Sequence, residues 1–278
     1  ARAHVVEPHD IAHGLPSRRR NGHKYDAAVY LVAGSPGMLG AATFSTNAAL
    51  RAGAGYVRLA SPGVSAADLP IGEHVGRSLP HGGWAADVAG DLGRYKALAI
   101  GPGLGRERET VDAVCELVAR ARDVPAVIDG DGLFALGDRA ADAIRDRAAP
   151  TILTPHDGEF ATLTGAAPGS DRFAAVRRLA QRTGAVVLLK GSTTIVAAPE
   201  GACLVSVAGD ERLATAGTGD VLTGILAAFV ARGVPALEAA AGAAVVHGLA
   251  GHLGSPHGLV AGDLPPLVAS VLSALDRE

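Results

Sequence analysis

The stretch from Ala214 to Phe229 carries the residue types best suited to chemistry. Gly217, Thr218 and Gly219 form a short glycine loop, and a dense apolar run after it predicts a buried helix that begins near Asp220. A helix start presents unpaired N–H groups and a positive potential, both of which favour a bound phosphate. The loop therefore predicts a phosphate site.

Two interpretations are open for Asp220. The simpler one is a helix N-cap, a position that favours Asp and is worth about 1 kcal/mol. The other is a general base that removes a proton from a hydroxyl group as its oxygen attacks phosphorus, since phosphoryl transfer places such a carboxylate beside an electropositive pocket. The loop by itself favours the cap, so the other loops of the chain decide between the two.

A second candidate for phosphate binding follows the continuous apolar run Ala185–Leu189, which predicts a buried parallel strand. The run is followed by a lysine and four small or hydroxyl-bearing residues: Lys190, Gly191, Ser192, Thr193 and Thr194. A point charge, hydroxyl groups and free N–H groups at the end of a buried strand suit nucleotide phosphates. The apolar run makes a merely solvated lysine the weaker interpretation.

Four further loops rich in glycine or acidic residues follow predicted strands: Gly34–Ala41, Gly101–Gly105, Asp129–Gly132 and His156–Glu159. Asp129 and Asp131 suit a water-bridged Mg²⁺ or a substrate hydroxyl, although helix capping is the favoured role of Asp131. His156 precedes a predicted helix in a loop with two acids, which favours a ligand contact. Glu159 either orients a hydrated metal ion or occupies the first helical turn, where an acid is stabilised.

The elements that must position these loops alternate between strand and helix. This alternation predicts an α/β fold with a mostly parallel central sheet covered by helices on both faces. Ile195–Ala198 and Cys203–Val207 predict a hairpin, and Pro235–Leu253 and Leu264–Leu275 predict closing helices. Because ligands gather at the carboxyl ends of parallel strands, we expect the loops to share one site.

Two stretches have weaker patterns. Residues 1–24 are polar and predict a solvated arm, with a phosphate contact by His23 and Lys24 as the alternative. Residues 61–95 are rich in glycine and proline and predict a helix near Ala66, with Trp84 in packing or an interface.

Composition narrows the functional classes. The chain has 278 residues and a net charge of −3, which gives no reason to expect nucleic acid or an anionic membrane as a partner. Two well-separated cysteines predict buried thiols rather than a metal site. With no apolar run of membrane-spanning length and no signal-peptide core, the sequence predicts a cytoplasmic protein.

Taken together, the motifs resemble the NAD(P)H-hydrate dehydratase family, a lidless branch of the ribokinase-like fold. The similarity covers nearly the whole chain from His23. The segments that carry it are Gly37–Ala42, Ala48–Gly55, Gly101–Gly105, Asp129–Leu133, Leu153–Phe160, Leu189–Gly191 and Gly217–Gly224.

The resemblance implies a single ribokinase-like domain over residues 1–278, in three layers, with a repair activity. The implied substrate is the (S) epimer of hydrated NADH or NADPH, and a nucleoside phosphate drives the loss of water. Bacterial members resemble ADP users, and eukaryotic relatives prefer ATP. A homotetramer and a functional link to an NAD(P)H-hydrate epimerase, which often precedes this domain, are also implied.

The resemblance also assigns residues. Asp220 would be the general base, and Gly217, Thr218 and Gly219 would hold the developing charge. The implied contacts to the hydrated dinucleotide are Ala41, Gly103, Gly105, His156 and Asp220. The implied contacts to the nucleotide are Lys190, Gly191, Ser192, Thr193, Thr194 and Gly219. Glu159 would orient Mg²⁺ through water.

Two other functions fit the same residues. A ribokinase-like kinase for a small alcohol, such as a vitamin precursor, would use the same base but form a stable phosphate ester. A nucleotide sensor would bind without turnover. One departure from the family pattern is Tyr25-Asp26-Ala27, where a glycine-bearing turn is expected.

Overall fold

The structure, a computed structural model that describes residues 3–276, is built on one ten-stranded sheet. The strands are β1 (His4–Val5), β2 (Ala28–Val32), β3 (Tyr56–Pro62), β4 (Val75–Leu79), β5 (Ala97–Ile100), β6 (Ala126–Ile128), β7 (Thr151–Leu153), β8 (Val186–Leu189), β9 (Thr194–Ala197) and β10 (Cys203–Ser206). Their order is β1-β10-β9-β8-β7-β6-β5-β2-β3-β4. Only β9 runs antiparallel to its neighbours, so the mostly parallel sheet and the β9–β10 hairpin are both confirmed.

Helices cover both faces of this sheet. They are α1 (Pro8–Gly14), α2 (Leu39–Arg51), α3 (Ala85–Asp91), α4 (Arg108–Arg120), α5 (Asp131–Leu136), α6 (Ala140–Ile144), α7 (Asp157–Thr164), α8 (Arg172–Thr183), α9 (Thr218–Ala231), α10 (Ala236–Leu253) and α11 (Leu264–Leu275). The closing helices therefore lie where the sequence predicted them.

The central strand β2 shows why the fold has three layers. Val29 and Leu31 pack with α2, α9, α10 and α11, whereas Tyr30 and Val32 pack on the other face with α3 to α8. Successive side chains of a strand point to opposite faces, so a strand that is apolar at every position requires helices on both sides.

The buried helix α9 is held close to α2. A Cβ atom added to Gly224 would lie 2.2 Å from the carbonyl oxygen of Ser45, so only glycine permits this approach. Every residue of α9 from Val221 to Ala231 is buried. The apolar pattern thus fixes α9 against the sheet and directs its first turn toward the carboxyl ends of the strands.

Two expectations about irregular stretches were wrong. No helix forms near Ala66, because its N–H donates to the Ser78 hydroxyl at 2.8 Å and ties the segment to β4. Residues 1–24 are also more than a solvated arm, since β1 pairs with β10 and Ile11 of α1 packs into the core; residues 1–2 lie outside the described part. Trp84 is fully buried, as packing predicts.

No helix of residues 3–276 combines the length and apolar character needed to cross a membrane.

Candidate active site

A buried ion pair forms the centre of the site. The Lys190 ammonium, directly after β8, lies 2.8 Å from Asp129 Oδ1, directly after β6, and 3.4 Å from Glu159 Oε2. Asp129 is 3% exposed. Burial opposes both charges, but the attraction between them outweighs it, lowering the pKa of Asp129 and raising that of Lys190. The lysine and the acid are therefore both charged.

Asp220 lies beside this pair in a different electrostatic state. Burial, followed by the negative charge of Asp129, raises its pKa to about 7, although Lys190 acts in the opposite direction. Within residues 3–276 its carboxylate has no hydrogen-bond partner. A carboxylate of this kind is suited to accept a proton near neutral pH.

The structure excludes the N-cap interpretation of Asp220. The cap of α9 is Gly217, with φ +92°, and Asp220 is the third residue of the helix. Hydrogen bonding within α9 begins with the Val221 N–H, which donates to the Gly217 carbonyl at 3.2 Å. The N–H groups of Gly219 and Asp220 precede this bond and are available to an anion.

Thr218 does not offer its hydroxyl to a ligand. The hydroxyl donates to the Leu213 carbonyl at 2.8 Å, with the Thr215 carbonyl at 3.0 Å, so it stabilises the loop. Gly219 lies closer to the ion pair, because a Cβ added there would be 3.7 Å from Lys190 Nζ. The structure thus brings Gly219, Asp220 and Lys190 together.

The glycine loops before α2 and α4 are joined at the same edge of the sheet. A Cβ on Gly103, whose φ is +62°, would lie 2.8 Å from the Ala41 Cβ, and the Ser35 hydroxyl donates to the Gly103 carbonyl at 3.0 Å. The Gly105 N–H donates to Asp131 Oδ2 at 2.9 Å. The loops that carry Ala41, Gly103 and Gly105 therefore lie together at one edge of the sheet.

Asp131 has a role other than the favoured helix cap. The cap of α5 is Gly130, and the Asp131 carboxylate instead binds the Gly105 N–H and the Arg106 side chain, at 2.8 Å. Its negative charge also raises the pKa of Asp220. The acid therefore fixes one glycine loop against the next.

His156 and Glu159 cap α7 together. His156 Nδ1 accepts from the N–H groups of Gly158 and Glu159, and Glu159 Oε2 accepts from the His156 N–H at 2.8 Å. Glu159 occupies the first helical turn, as its simpler interpretation predicted. More than half of the His156 side chain is exposed, so the ring can cap the helix and still contact a ligand.

The predicted nucleotide segment, residues 190–194, forms the turn between β8 and β9. Arg172 supports it, donating to the Lys190 carbonyl at 3.0 Å while pairing with Asp157 at 2.7 Å. Arg172 is the first residue of α8, and its side chain is only 27% exposed. The position of Arg172 in an amphipathic helix does not indicate a contact with Lys190, which lies 18 residues further along the chain.

Sequence reasoning also missed two neighbours of the glycine loop, the half-buried Phe44 and the buried His247. A Cβ on Gly217 would lie 2.7 Å from the Phe44 ring, so Phe44 connects α2 to the loop. His247 lies in α10, and burial lowers its pKa to about 4. Neither residue belongs to a motif that could have signalled its position.

His23 and Lys24 are not phosphate contacts at this site. They lie before β2, at the amino ends of the strands, where Lys24 packs over the ring of Tyr25. Asp26 caps the short 3₁₀ helix Lys24–Ala27 by accepting from the His23 N–H at 2.8 Å. This helix occupies the place where the family pattern predicted a glycine-bearing turn.

The family model described as NAD(P)H-hydrate dehydratase matches residues 29–273. The chain belongs to this family. Its lidless ribokinase-like fold is thereby confirmed.

Curated relatives of the chain fall into two kinds. The bifunctional NAD(P)H-hydrate repair enzyme of Moorella thermoacetica is 40% identical over 95% of this chain, and the one of Mycobacterium tuberculosis is 42% identical over 84%. The chain spans 53% and 47% of those proteins, about half their length. The ADP-dependent (S)-NAD(P)H-hydrate dehydratase of Neisseria meningitidis is 36% identical over 91% of this chain and 88% of its own.

Solved structures show the same fold. The ADP/ATP-dependent NAD(P)H-hydrate dehydratase of Bacillus subtilis, co-crystallised with ATP/Mg²⁺, superimposes with a TM-score of 0.84 at 30% identity, covering 98% of this chain and 99% of that one. A ribokinase-like superfamily protein of Enterococcus faecalis gives a TM-score of 0.87 at 21% identity over 99% and 97% of the two chains, which concerns the fold alone.

Proposed function

We propose that this chain is an ADP- or ATP-dependent (S)-NAD(P)H-hydrate dehydratase, which removes water from hydrated NADH or NADPH. The observation that carries the proposal is the position of Asp220, whose pKa is raised to about 7, in the helix turn next to the charged Lys190. A base and a phosphate-binding cation at one helix start are the two groups that phosphorylation of an alcohol requires. The named activities of the curated relatives support the same reaction.

In the first step, Asp220 removes the proton from the hydroxyl on the hydrated nicotinamide ring as that oxygen attacks the terminal phosphorus. The bond to the nucleotide's bridging oxygen breaks, so ADP leaves as AMP. Lys190 and the N–H groups at the start of α9 stabilise the negative charge that develops. Thr218 contributes through the loop that its hydroxyl holds in place.

In the second step, the phosphorylated oxygen leaves the ring as inorganic phosphate. The lone pair of the ring nitrogen assists the departure, and loss of a proton from the adjacent ring carbon restores the dihydronicotinamide. Hydroxide would be a poor leaving group, and the first step converts it to a good one. The glycine surface at Ala41, Gly103 and Gly105 leaves room for the dinucleotide against the backbone.

The site accommodates Mg²⁺ through water and phosphate. No group of three acidic, histidine or cysteine side chains suited to a metal occurs in the described part of the chain. Glu159 is already held by the His156 N–H and Lys190. Mg²⁺ usually keeps several waters and binds nucleotide phosphates plus one or two carboxylates, so Glu159 would orient a water of the hydrated ion. When bound, the ion neutralises charge on the phosphates.

The direct test is to incubate the protein with hydrated NADH and ADP and to follow the absorbance band of NADH. The proposal predicts recovery of the band with release of AMP and phosphate. A persistent phosphorylated product would identify a kinase instead, and binding without any turnover would identify a sensor.

Asp220→Asn tests the role of the base. Loss of the general base should reduce kcat by about 10²–10⁴-fold, while ADP binding measured by calorimetry is retained. Asp112→Asn, which changes an exposed acid of α4, is the matched control and should keep full activity. Full activity of Asp220→Asn would contradict the mechanism.

We also propose that the chain acts as a homotetramer, in the cytoplasm, beside an epimerase that interconverts the two hydrate epimers. The bifunctional repair enzymes among the relatives support the link, because this chain matches only about half of their length. The free thiols of Cys115 and Cys203 fit a reducing compartment. Light scattering at several concentrations tests the tetramer, and a stable monomer would refute it.

A further inference from the structure

Asp129 is the acid in the site to which neither the resemblance nor the proposed mechanism gives a task. It directly follows β6 and is buried. The proposed mechanism gives it no contact with a substrate. Its carboxylate nevertheless makes three contacts with groups from three other elements. A buried charge that keeps its ionised form at the cost of desolvation invites a functional explanation.

One oxygen of Asp129 holds the lysine. Oδ1 lies 2.8 Å from Lys190 Nζ and accepts a hydrogen bond from the Thr154 hydroxyl at the same distance. A lysine side chain is flexible and has three donors, so a fixed partner is needed to hold its ammonium in one place. Oδ1 is that partner, with Glu159 at 3.4 Å as the second acid on the ammonium.

The other oxygen holds the helix that carries the base. Oδ2 accepts a hydrogen bond of 2.7 Å from the hydroxyl of Thr223, which is fully buried. Thr223 lies three residues after Asp220, on the same face of α9. Asp129 therefore connects the phosphate-binding cation, through two oxygens of one carboxylate, to the turn of α9 that follows Asp220.

Charge adds a second effect to this connection. The groups that face Asp220 are Asp129 from β6, Asp131 from α5, Glu159 from α7 and Lys190 from β8. Among them Asp129 acts most strongly after burial, and its negative charge makes Asp220 hold a proton more tightly. A carboxylate of ordinary acidity would be a weaker base toward an alcohol.

We infer that Asp129 is a positioning residue of the reaction, which holds Lys190 and the Asp220 turn of α9 in register and whose charge acts on the base. This inference rests on the proposed function and assigns no contact between Asp129 and the substrate.

The test is the pH dependence of kcat/KM for Asp129→Asn, which keeps the shape of the side chain and removes its charge. Without that charge, and with Lys190 no longer neutralised, Asp220 should ionise at lower pH. The acid limb of the profile is the pH range in which activity falls as Asp220 becomes protonated. This limb should therefore move down by roughly one pH unit. The plateau should fall about 10-fold or more because the base is weaker and the lysine less fixed.

A purely structural role would lower the plateau and leave the acid limb in place, and that result would overturn the inference. So would an unchanged profile. If the wild-type protein shows no turnover of hydrated NADH at all, the proposed function itself fails, and the two failures are thereby distinguished.

Thr223→Val keeps the inference testable if Asp129→Asn does not fold. It removes the hydrogen bond to Oδ2 and keeps every charge, so kcat should fall about 10-fold with little movement of the acid limb. Thr223→Ser is the matched control, because it restores the hydroxyl and should restore kcat. Wild-type kcat in Thr223→Val would overturn the connection between Asp129 and α9.

Discussion

The two ends of α9 both carry clusters of charge, but the clusters are built differently. At the start of the helix, Asp129 and Lys190 pair within 2.8 Å and surround Asp220. At the end, Arg232 donates to the carbonyls of Ala52 and Pro16, at 3.2 and 2.7 Å. Burial and then the positive charge of Arg18 lower the pKa of Arg232.

The end near Arg232 also opens into a cavity of about 900 Å³, at the amino ends of β2, β3 and β5. Its basic lining residues are Arg18, Arg19, His23, Arg51, Lys96 and Arg232. Size and charge would favour this cavity as the functional site, but the two acids in its lining, Asp26 and Asp276, are exposed. What distinguishes the start of α9 is that opposite charges there are paired and desolvated together.

Removing one cation from each end should produce the largest difference. Lys190→Met leaves the buried Asp129 carboxylate without its ion-pair partner, which should cost about 3–5 kcal/mol of unfolding free energy. Arg232→Met loses two hydrogen bonds to carbonyls and relieves repulsion from Arg18, so its cost should be about 1 kcal/mol. Urea denaturation measures both.

The double variant Lys190→Met/Asp129→Asn sharpens this comparison. With the charge of Asp129 also removed, most of the lost stability should return. A double variant no more stable than Lys190→Met would show that the ion pair does not hold the site together.

Two glycines at the start of α9 should respond differently to alanine. Gly217→Ala forces a side chain onto φ +92° and toward the Phe44 ring, at 2.7 Å, and should cost about 1–3 kcal/mol. Gly219→Ala meets nothing closer than Lys190 Nζ, so stability should be kept or rise by up to about 1 kcal/mol. The new methyl group should, however, weaken ADP binding about 10-fold.

Thermal unfolding and titration calorimetry check these two variants. Gly90→Ala is the control, because Gly90 also lies in a helix with open space around its Cα and is far from the site in sequence. It should match the stability of Gly219→Ala and keep full ADP affinity. Equal affinity in all three proteins would remove Gly219 from the nucleotide site.

The smallest effect concerns pH and stability. The pKa of Asp220 rises from 3.8 to about 7 in the folded state, so the folded protein holds this proton more tightly and loses stability as pH rises between those values. Asp220→Asn should therefore be more stable than the wild type at pH 8, by about 1–2 kcal/mol after allowance for solvent screening. The gain should shrink toward pH 4.

Asp276→Asn, which changes the acid directly after α11, is the matched control for that measurement. Asp276 is the acid that favours the charge of Arg232, so its removal should give no gain at pH 8. If both variants gain equally, the effect belongs to overall charge and not to the environment of Asp220.

Much of the architecture could be predicted because single segments determine it. Continuous apolar strands such as Val186–Leu189 require cover on both faces, and a turn at Pro199–Gly201 predicts the hairpin. The edge strand β4 could not be predicted, because it is mostly exposed and depends on pairing with β3. Local patterns therefore predict the core of the sheet better than its edge.

The site was predicted as a set of loops but not as a network. Asp129 and Lys190 are 61 residues apart, and Thr223 lies a further 33 residues along the chain from Lys190, so no spacing signals their contacts. The cap role of His156 was missed for a different reason. A histidine that caps a helix and one that binds a ligand occupy the same kind of loop, and only the geometry distinguishes them.

The most direct test of the account is the dependence of wild-type kcat/KM on pH with hydrated NADH and ADP. Because Asp220 must be ionised to act as the base and its pKa is about 7, activity should fall tenfold per pH unit below an acid limb near pH 7. An acid limb near pH 4, or activity that stays level down to pH 5, would show that the base is an ordinary carboxylate or another group, and would contradict the account.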